Sequence, residues 1–135
     1  MKMTMKVLIA DDDFVSRLLL QELLKSFGPS HIAVNGREAV DAVRIALQAG
    51  EPYDLICLDI MMPGMDGQEA LKQIRQMEEK AGRRGSDSAK IIMTTALSDE
   101  ANVVQAARQR CDYFLVKPIQ KVKLMEELHK LKLIS

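Results

Sequence analysis

Four separated stretches of this chain carry side chains that could do chemistry together: the run Asp11-Asp12-Asp13, the lone Asp59, Thr95 and Lys117. Each stands at the end of an apolar run: Val7-Leu8-Ile9-Ala10, Leu55-Ile56-Cys57-Leu58, Ile91-Ile92-Met93-Thr94 and Tyr113-Phe114-Leu115-Val116. Singly, each has an ordinary explanation. Three consecutive acids make a solvated turn, Asp13 serves as an acid in a first helical turn, Lys117 is a surface lysine and Thr95 a strand hydroxyl. Only the set is informative. Three carboxylates gathered in one pocket repel by up to ~4 kcal/mol per close pair at an effective dielectric of about 20, so either a pKa rises or a cation binds. An all-oxygen donor set suits Mg²⁺, whereas zinc would draw on Cys or His, which this set lacks. Such a pocket suits phosphoryl transfer, with metal and lysine neutralising phosphoryl oxygens and Asp59 as the candidate nucleophile, forming an acyl phosphate.

The elements that must position these groups follow from the hydrophobic pattern. Uninterrupted apolar runs that stop at an acid or a lysine are strands buried on both faces, and His31-Ile32-Ala33-Val34 supplies another. Between them run helical stripes. Val15, Leu19, Leu23 and Phe27 form the first, closed by Gly28 at C′ with Pro29 beyond. Val40, Val43 and Leu47 form the second, after Asn35-Gly36 and ending near Gly50. Ala70, Ile74 and Met77 form the third, after a loop forced by Pro63, Gly64 and Gly67. Ser98 is the N-cap of a fourth, with Asp99 and Glu100 in its first turn, and Leu124, Leu128 and Leu131 line the last. Lys80 to Lys90 is polar and rich in Gly and Ser, which predicts an exposed, mobile loop. Five strands alternating with five helices imply an α/β fold, an open parallel sheet between two helical layers, and ligands bind such sheets beyond the carboxyl ends of the strands. The four functional stretches converge there.

Composition narrows the remaining classes. The 135 residues suit one domain, and 47% hydrophobic with 28% charged residues is ordinary for a folded globular chain. Nineteen basic residues balance nineteen acidic ones, which removes the electrostatic attraction that nonspecific nucleic-acid binding relies on. No apolar run approaches the ~18 residues of a membrane span, and Lys2 and Lys6 interrupt the Met-rich start, leaving no signal-peptide core. Cys57 and Cys111 lack CxxC spacing and read as reduced thiols on apolar strands, which points to the cytoplasm. His31 and His129 read as surface residues, and Met61, Met62 and Met65 as loop packing.

The motifs VLIADDD, LDIMMPGMDG, TTA and FLVKPI, in that order and on those elements, resemble the receiver domain of two-component response regulators across nearly the whole chain. The resemblance implies a single receiver domain over 1–135 with a flavodoxin-like sheet of strand order 2-1-3-4-5. It implies that Asp59 accepts phosphoryl from a sensor histidine kinase or a histidine phosphotransfer protein, and that an unidentified downstream protein reads the result. It further implies Mg²⁺, or alternatively Mn²⁺, held directly by Asp12 and Asp59, by Asp11 largely through water, and by the backbone carbonyl of Met61. Thr95 and Lys117 would hold phosphoryl oxygens, and the Lys117-Pro118 peptide would be cis. Thr95 and Phe114 would form a switch acting on the face made by the fourth helix, strand five and the last helix, with Val103, Ala106 and Phe114 on it. Met61 and Leu97 would line the route of the hydrolytic water. The protein would be no enzyme, but a phosphoacceptor assisting its own phosphorylation and dephosphorylation. Two features depart from the family pattern: the Lys80 to Lys90 segment is long, and Arg110 stands where Gly is frequent.

Three alternatives are set against this reading. Asp11-Asp12-Asp13-Phe14-Val15 also fits the DxDx[TV] start of haloacid-dehalogenase-type phosphatases, with Asp11 as nucleophile and Asp13 as acid/base, but no second acidic pair follows Lys117. A flavodoxin-type FMN carrier shares the fold, yet three aspartates after strand one would repel its phosphate. An unphosphorylated, degenerate receiver is opposed by the intact set Asp11, Asp12, Asp59, Thr95 and Lys117.

Overall fold

In the computed structural model, residues 4–96 and 110–135 are described. Five strands, β1 (Val7–Ala10), β2 (Ser30–Ala33), β3 (Leu55–Asp59), β4 (Lys90–Thr95) and β5 (Tyr113–Val116), form one parallel sheet in the order β2-β1-β3-β4-β5. This is the flavodoxin-like order that the resemblance implied. The described residues contain four α-helices, α1 (Phe14–Leu24), α2 (Gly36–Gln48), α3 (Gly67–Lys80) and α4 (Lys121–Lys130), and a 3₁₀ turn at Gly85–Asp87. The helix expected from Ser98, with Val103 and Ala106, falls outside the described residues, as does Leu97.

Strand alternation divides the core in two. Leu8, Ala10, Ile56, Leu58, Ile91 and Met93 face α2 and α3 and pack on Ala39, Val40, Val43, Ala70, Leu71 and Ile74. Val7, Ile9, Leu55, Cys57, Ile92 and Leu115 face the other way, onto Leu20 and Leu24 of α1 and Leu124 and Leu128 of α4. Because β1, β3 and β4 are covered on both faces, their apolar runs are unbroken, and each run ends where the chain leaves the core.

Several local expectations are corrected. The face that α1 buries is Leu20 and Leu24, not the Val15 line: Val15 is 70% exposed, Leu19, Leu23 and Phe27 are partly buried, and the helix ends at Leu24. Gly28 is therefore no C′ residue. It sits where the chain passes Met5, whose N–H donates to the Phe27 carbonyl at 2.7 Å, and a Cβ on Gly28 would lie 1.9 Å from the Met5 oxygen. β2 stops at Ala33 and is an edge strand, so His31 and Ile32 are exposed. Gly67 opens α3 instead of preceding it. Cys111 lies in the turn before β5, half-buried, while Cys57 is in β3 with its thiol pushed up to about 12 by burial.

The Lys80 to Lys90 segment is not a free loop. Its far end is held by Glu78, a buried residue whose Oε2 accepts from the Ala89 N–H at 2.7 Å. Arg75 binds Glu78 at 2.7 Å, the carbonyls of Ala89 and Arg110 at 2.9 and 2.8 Å, and Asp112 at 3.1 Å. Asp112 in turn accepts from the Ile91 N–H at 2.8 Å. This clamp joins α3, the start of β4 and the approach to β5.

Candidate functional site

At the end of β1 the Asp11 N–H still donates to the Ala33 carbonyl at 3.1 Å, so the sheet ladder carries Asp11 into place with its side chain fully buried. Asp11 Oδ1 accepts from the Asp13 N–H at 2.9 Å, turning the chain toward α1. Asp13 is the N-cap of that helix, accepting from the Ser16 N–H at 2.9 Å and from its hydroxyl at 2.8 Å; these bonds hold its carboxyl below the ordinary value. Asp12, between them, is exposed.

Asp59 ends β3 and is 5% exposed. Its Oδ1 receives the Met61 N–H at 3.3 Å, and its Oδ2 lies 3.2 Å from Lys117 Nζ, which also stands 2.9 Å from Asp11 Oδ2. Lys117 follows β5, its N–H bound to the Thr95 carbonyl at 2.8 Å, and the Lys117-Pro118 peptide is cis. Burial raises the Asp59 pKa to about 7, reinforced by the charge of Asp11 and opposed by Lys117. For Lys117, burial alone would lower the pKa; the hydrogen bond it donates to Asp11 and the charges of both acids outweigh it and hold the ammonium above its ordinary value.

Carboxylate oxygens of Asp11, Asp12 and Asp59 all lie within 4.8 Å of one another. Among the described residues one ammonium, that of Lys117, faces these three carboxylates, which leaves a deficit of positive charge, and the donors are oxygen only. This set fits a hard divalent cation that keeps some of its water, because Asp12 and the neighbouring Met61, 53% exposed, leave one side of the cluster open.

The other expected residues are placed as follows. Thr95 is buried and its hydroxyl donates to the Ala96 carbonyl at 3.1 Å. Strand alternation puts it on the sheet face opposite Asp59, the face where Phe114 packs half-buried against the core. Met62 is buried and Met65 packs against the same core. His31, whose Nδ1 lies 2.7 Å from the Tyr53 hydroxyl, and His129 are exposed and belong to other parts of the surface. Sequence reading missed two residues beside the cluster. Gly67, taken for a loop breaker, lets α3 approach so closely that a Cβ there would sit 2.1 Å from the Asp59 carbonyl oxygen. Thr94, taken for strand filler, is the register partner of Asp59.

A doubly wound sheet with an acidic cluster and a lysine beyond its strand ends defines a class of phosphoacceptor fold, and the comparisons identify the family. Residues 7–129 match the response regulator receiver domain, and the chain belongs to that family. It is 32% identical over 133 residues to the chemotaxis protein CheY of Bacillus subtilis, covering 95% of this chain and 98% of that protein. It is 34% identical over 126 residues to the sensory/regulatory protein RpfC of Xanthomonas campestris pv. campestris, covering 93% of this chain but 16% of RpfC. Against the probable histidine kinase 2 of Oryza sativa the chain spans 12% of the relative's length. Among solved structures, the D1050A receiver domain of the histidine kinase CKI1 from Arabidopsis thaliana superposes with a TM-score of 0.79 at 28% identity, covering 93% of this chain and 90% of that one. The receiver domain of the sensor histidine kinase PA1611 from Pseudomonas aeruginosa PAO1, with a magnesium ion coordinated in its active site cleft, gives 0.75 at 25% identity, covering 95% and 97%. Membership removes the dehalogenase-type and FMN-carrier alternatives. Among the described residues no helix is long and apolar enough to cross a membrane.

Proposed function

We propose that Asp59 is the phosphoacceptor of this receiver domain, taking phosphoryl from a phosphohistidine on a sensor histidine kinase or a histidine phosphotransfer protein. The observation that carries this reading is the Lys117 ammonium bridging Asp11 and Asp59 at 2.9 and 3.2 Å at the carboxyl end of the sheet, with Asp12 alongside. Asp59 and Asp12 would hold Mg²⁺, or alternatively Mn²⁺, directly, Asp11 through water and Met61 through its carbonyl, and the ion would supply positive charge against the phosphoryl oxygens.

An Asp59 carboxylate oxygen attacks phosphorus, the phosphorus–nitrogen bond of the donor breaks, and the imidazole leaves with the electron pair and gains a proton. Lys117 binds one phosphoryl oxygen. Thr95 binds another after its hydroxyl leaves the Ala96 carbonyl, and Phe114 turns into the space that Thr95 vacates. The altered surface around Phe114 is what a downstream protein reads. Met61 and Leu97 are apolar and cannot orient a water, so the acyl phosphate is long-lived.

Residues 1–135 act as one receiver domain in the cytoplasm, without nucleic acid or membrane, assisting their own phosphorylation and dephosphorylation but turning over no separate substrate. The length match to CheY supports this unit, and the many histidine kinases among the relatives support the partner class. The test is a radiolabel experiment with Mg²⁺ and a phosphohistidine donor: wild type is labelled and Asp59→Asn is not. Label retained in that variant, or found on Asp11, overturns the assignment.

A further inference from the structure

The sheet face that carries Asp59 holds another polar side chain with no assigned role. Thr94 pairs in register with Asp59 on β3 and with Leu115 on β5, and alternation sets it on the same face as Cys57, Asp59, Ile92 and Leu115. It is 1% exposed, and among the described residues its hydroxyl has no hydrogen-bond partner. A buried orphan hydroxyl costs stability that a valine of the same shape would not. That cost is recovered only in a state of the site in which the oxygen gains a partner.

The path of Lys117 supplies one. β4 lies between β5 and β3. Neighbouring strands are about 4.8 Å apart, so an ammonium that starts beyond β5 and ends between Asp59 and Asp11 crosses β4 on this face. The β4 residue at the level of Asp59 is Thr94. An ammonium has three N–H donors, and here Nζ donates to Asp59 at 3.2 Å and stands 2.9 Å from Asp11, which leaves a third donor spare. When Asp59 becomes an acyl phosphate, a phosphoryl oxygen replaces the Asp59 oxygen as one acceptor, and the third N–H stays available. Thr94 offers a neutral oxygen on the same face.

We propose that Thr94 is a positioning residue acting through Lys117: its hydroxyl accepts an N–H of the ammonium during phosphoryl transfer and keeps it aimed at the phosphoryl oxygen. This rests on the reading of Asp59 as phosphoacceptor. The experiment follows phosphorylation of the whole chain by acetyl phosphate with Mg²⁺, using intact-mass spectrometry after acid quench. In Thr94→Val the saturating rate falls roughly three- to tenfold while the half-saturating acetyl phosphate concentration stays put, and the melting temperature is equal to or above wild type. Thr94→Ser restores the rate. In a Lys117→Ala background, Thr94→Val has no further effect, as expected of two groups acting as one unit. A wild-type rate in Thr94→Val overturns the inference, as does the same loss in the Lys117→Ala background or a failure of Thr94→Ser to rescue. Absence of label on Asp59 in wild type overturns the phosphoacceptor reading instead.

Discussion

The Lys117 ammonium stands closer to Asp11 than to Asp59, 2.9 Å against 3.2 Å. Asp11 is fully buried, and among the described residues its lost hydration is offset by this ammonium and the Asp13 N–H. Removing the lysine leaves a buried carboxylate without its counter-charge. Such losses reach about 3–5 kcal/mol, reduced here to about 1–3 because the lysine side chain is 21% exposed and partly screened. Lys117→Ala is therefore less stable than wild type by that amount in chelator, and by less in saturating Mg²⁺, where a cation replaces the missing charge. Urea denaturation with and without Mg²⁺ measures both. An equal loss in the two conditions contradicts the compensation argument.

The Asp59 pKa of about 7 gives stability a pH dependence of definite sign. The folded value lies above the unfolded one near 3.8, so between those limits the native state binds the proton more tightly. The associated stability is fully present below about pH 4 and is lost as pH rises through 7. After screening, the change is about 1–2 kcal/mol. In chelator, wild type should lose that much between pH 5 and pH 8 relative to Asp59→Asn, which carries no titrating group there and is the more stable of the two at pH 8. Denaturant midpoints for both proteins across this range are the measurement. Parallel curves count against the elevated pKa.

The strand ends were legible in the sequence because burial on both faces makes the apolar runs of β1, β3 and β4 contiguous, and Asp11 and Asp59 break them abruptly. The phase of α1 was not legible. Its sequence FVSRLLLQELL offers several apolar lines, and docking on the sheet selects Leu20 and Leu24. Thr94 was hidden for another reason: a β-branched residue in a strand is unremarkable until the register sets it beside Asp59.

The Arg75 clamp was equally hidden, because Arg75 and Glu78 look like a surface pair on one helix while Asp112 is distant in sequence. Its burial makes it costly to break. Arg75→Met leaves Glu78, 3% exposed, without its counter-charge and frees the carbonyls of Ala89 and Arg110, a loss of about 2–4 kcal/mol. The clamp sits at the amino end of β4 and the acidic cluster at the carboxyl end of the sheet, so phosphorylation of the folded variant keeps the wild-type rate. Denaturant melts and acetyl phosphate labelling of the same preparation separate the two effects. A slowed rate in fully folded Arg75→Met shows that the clamp reaches the site.

Gly67 tests whether the backbone of Asp59 must be held where it is. Gly67 donates its N–H to the Ile60 carbonyl at 2.7 Å, drawing the start of α3 against the end of β3. A Cβ on Gly67 would lie 2.1 Å from the Asp59 carbonyl oxygen and 2.7 Å from the Ile60 Cα, both backbone atoms that cannot swing aside. Even a 3.0 Å contact requires the two segments to part by about 0.9 Å. Alanine is otherwise the better helix former by about 1 kcal/mol, so Gly67→Ala recovers part of the packing cost and remains folded. Its effect falls on the chemistry, because a displacement of about 1 Å at a reacting group costs up to ~10²-fold. Gly67→Ala should thus phosphorylate at least tenfold more slowly with acetyl phosphate and bind Mg²⁺ more weakly by calorimetry, with native far-ultraviolet circular dichroism. Lys72→Ala, an exposed change on the same helix, leaves both at wild-type values. A wild-type rate in Gly67→Ala means that Asp59 tolerates the shift and that the close approach of α3 serves packing alone.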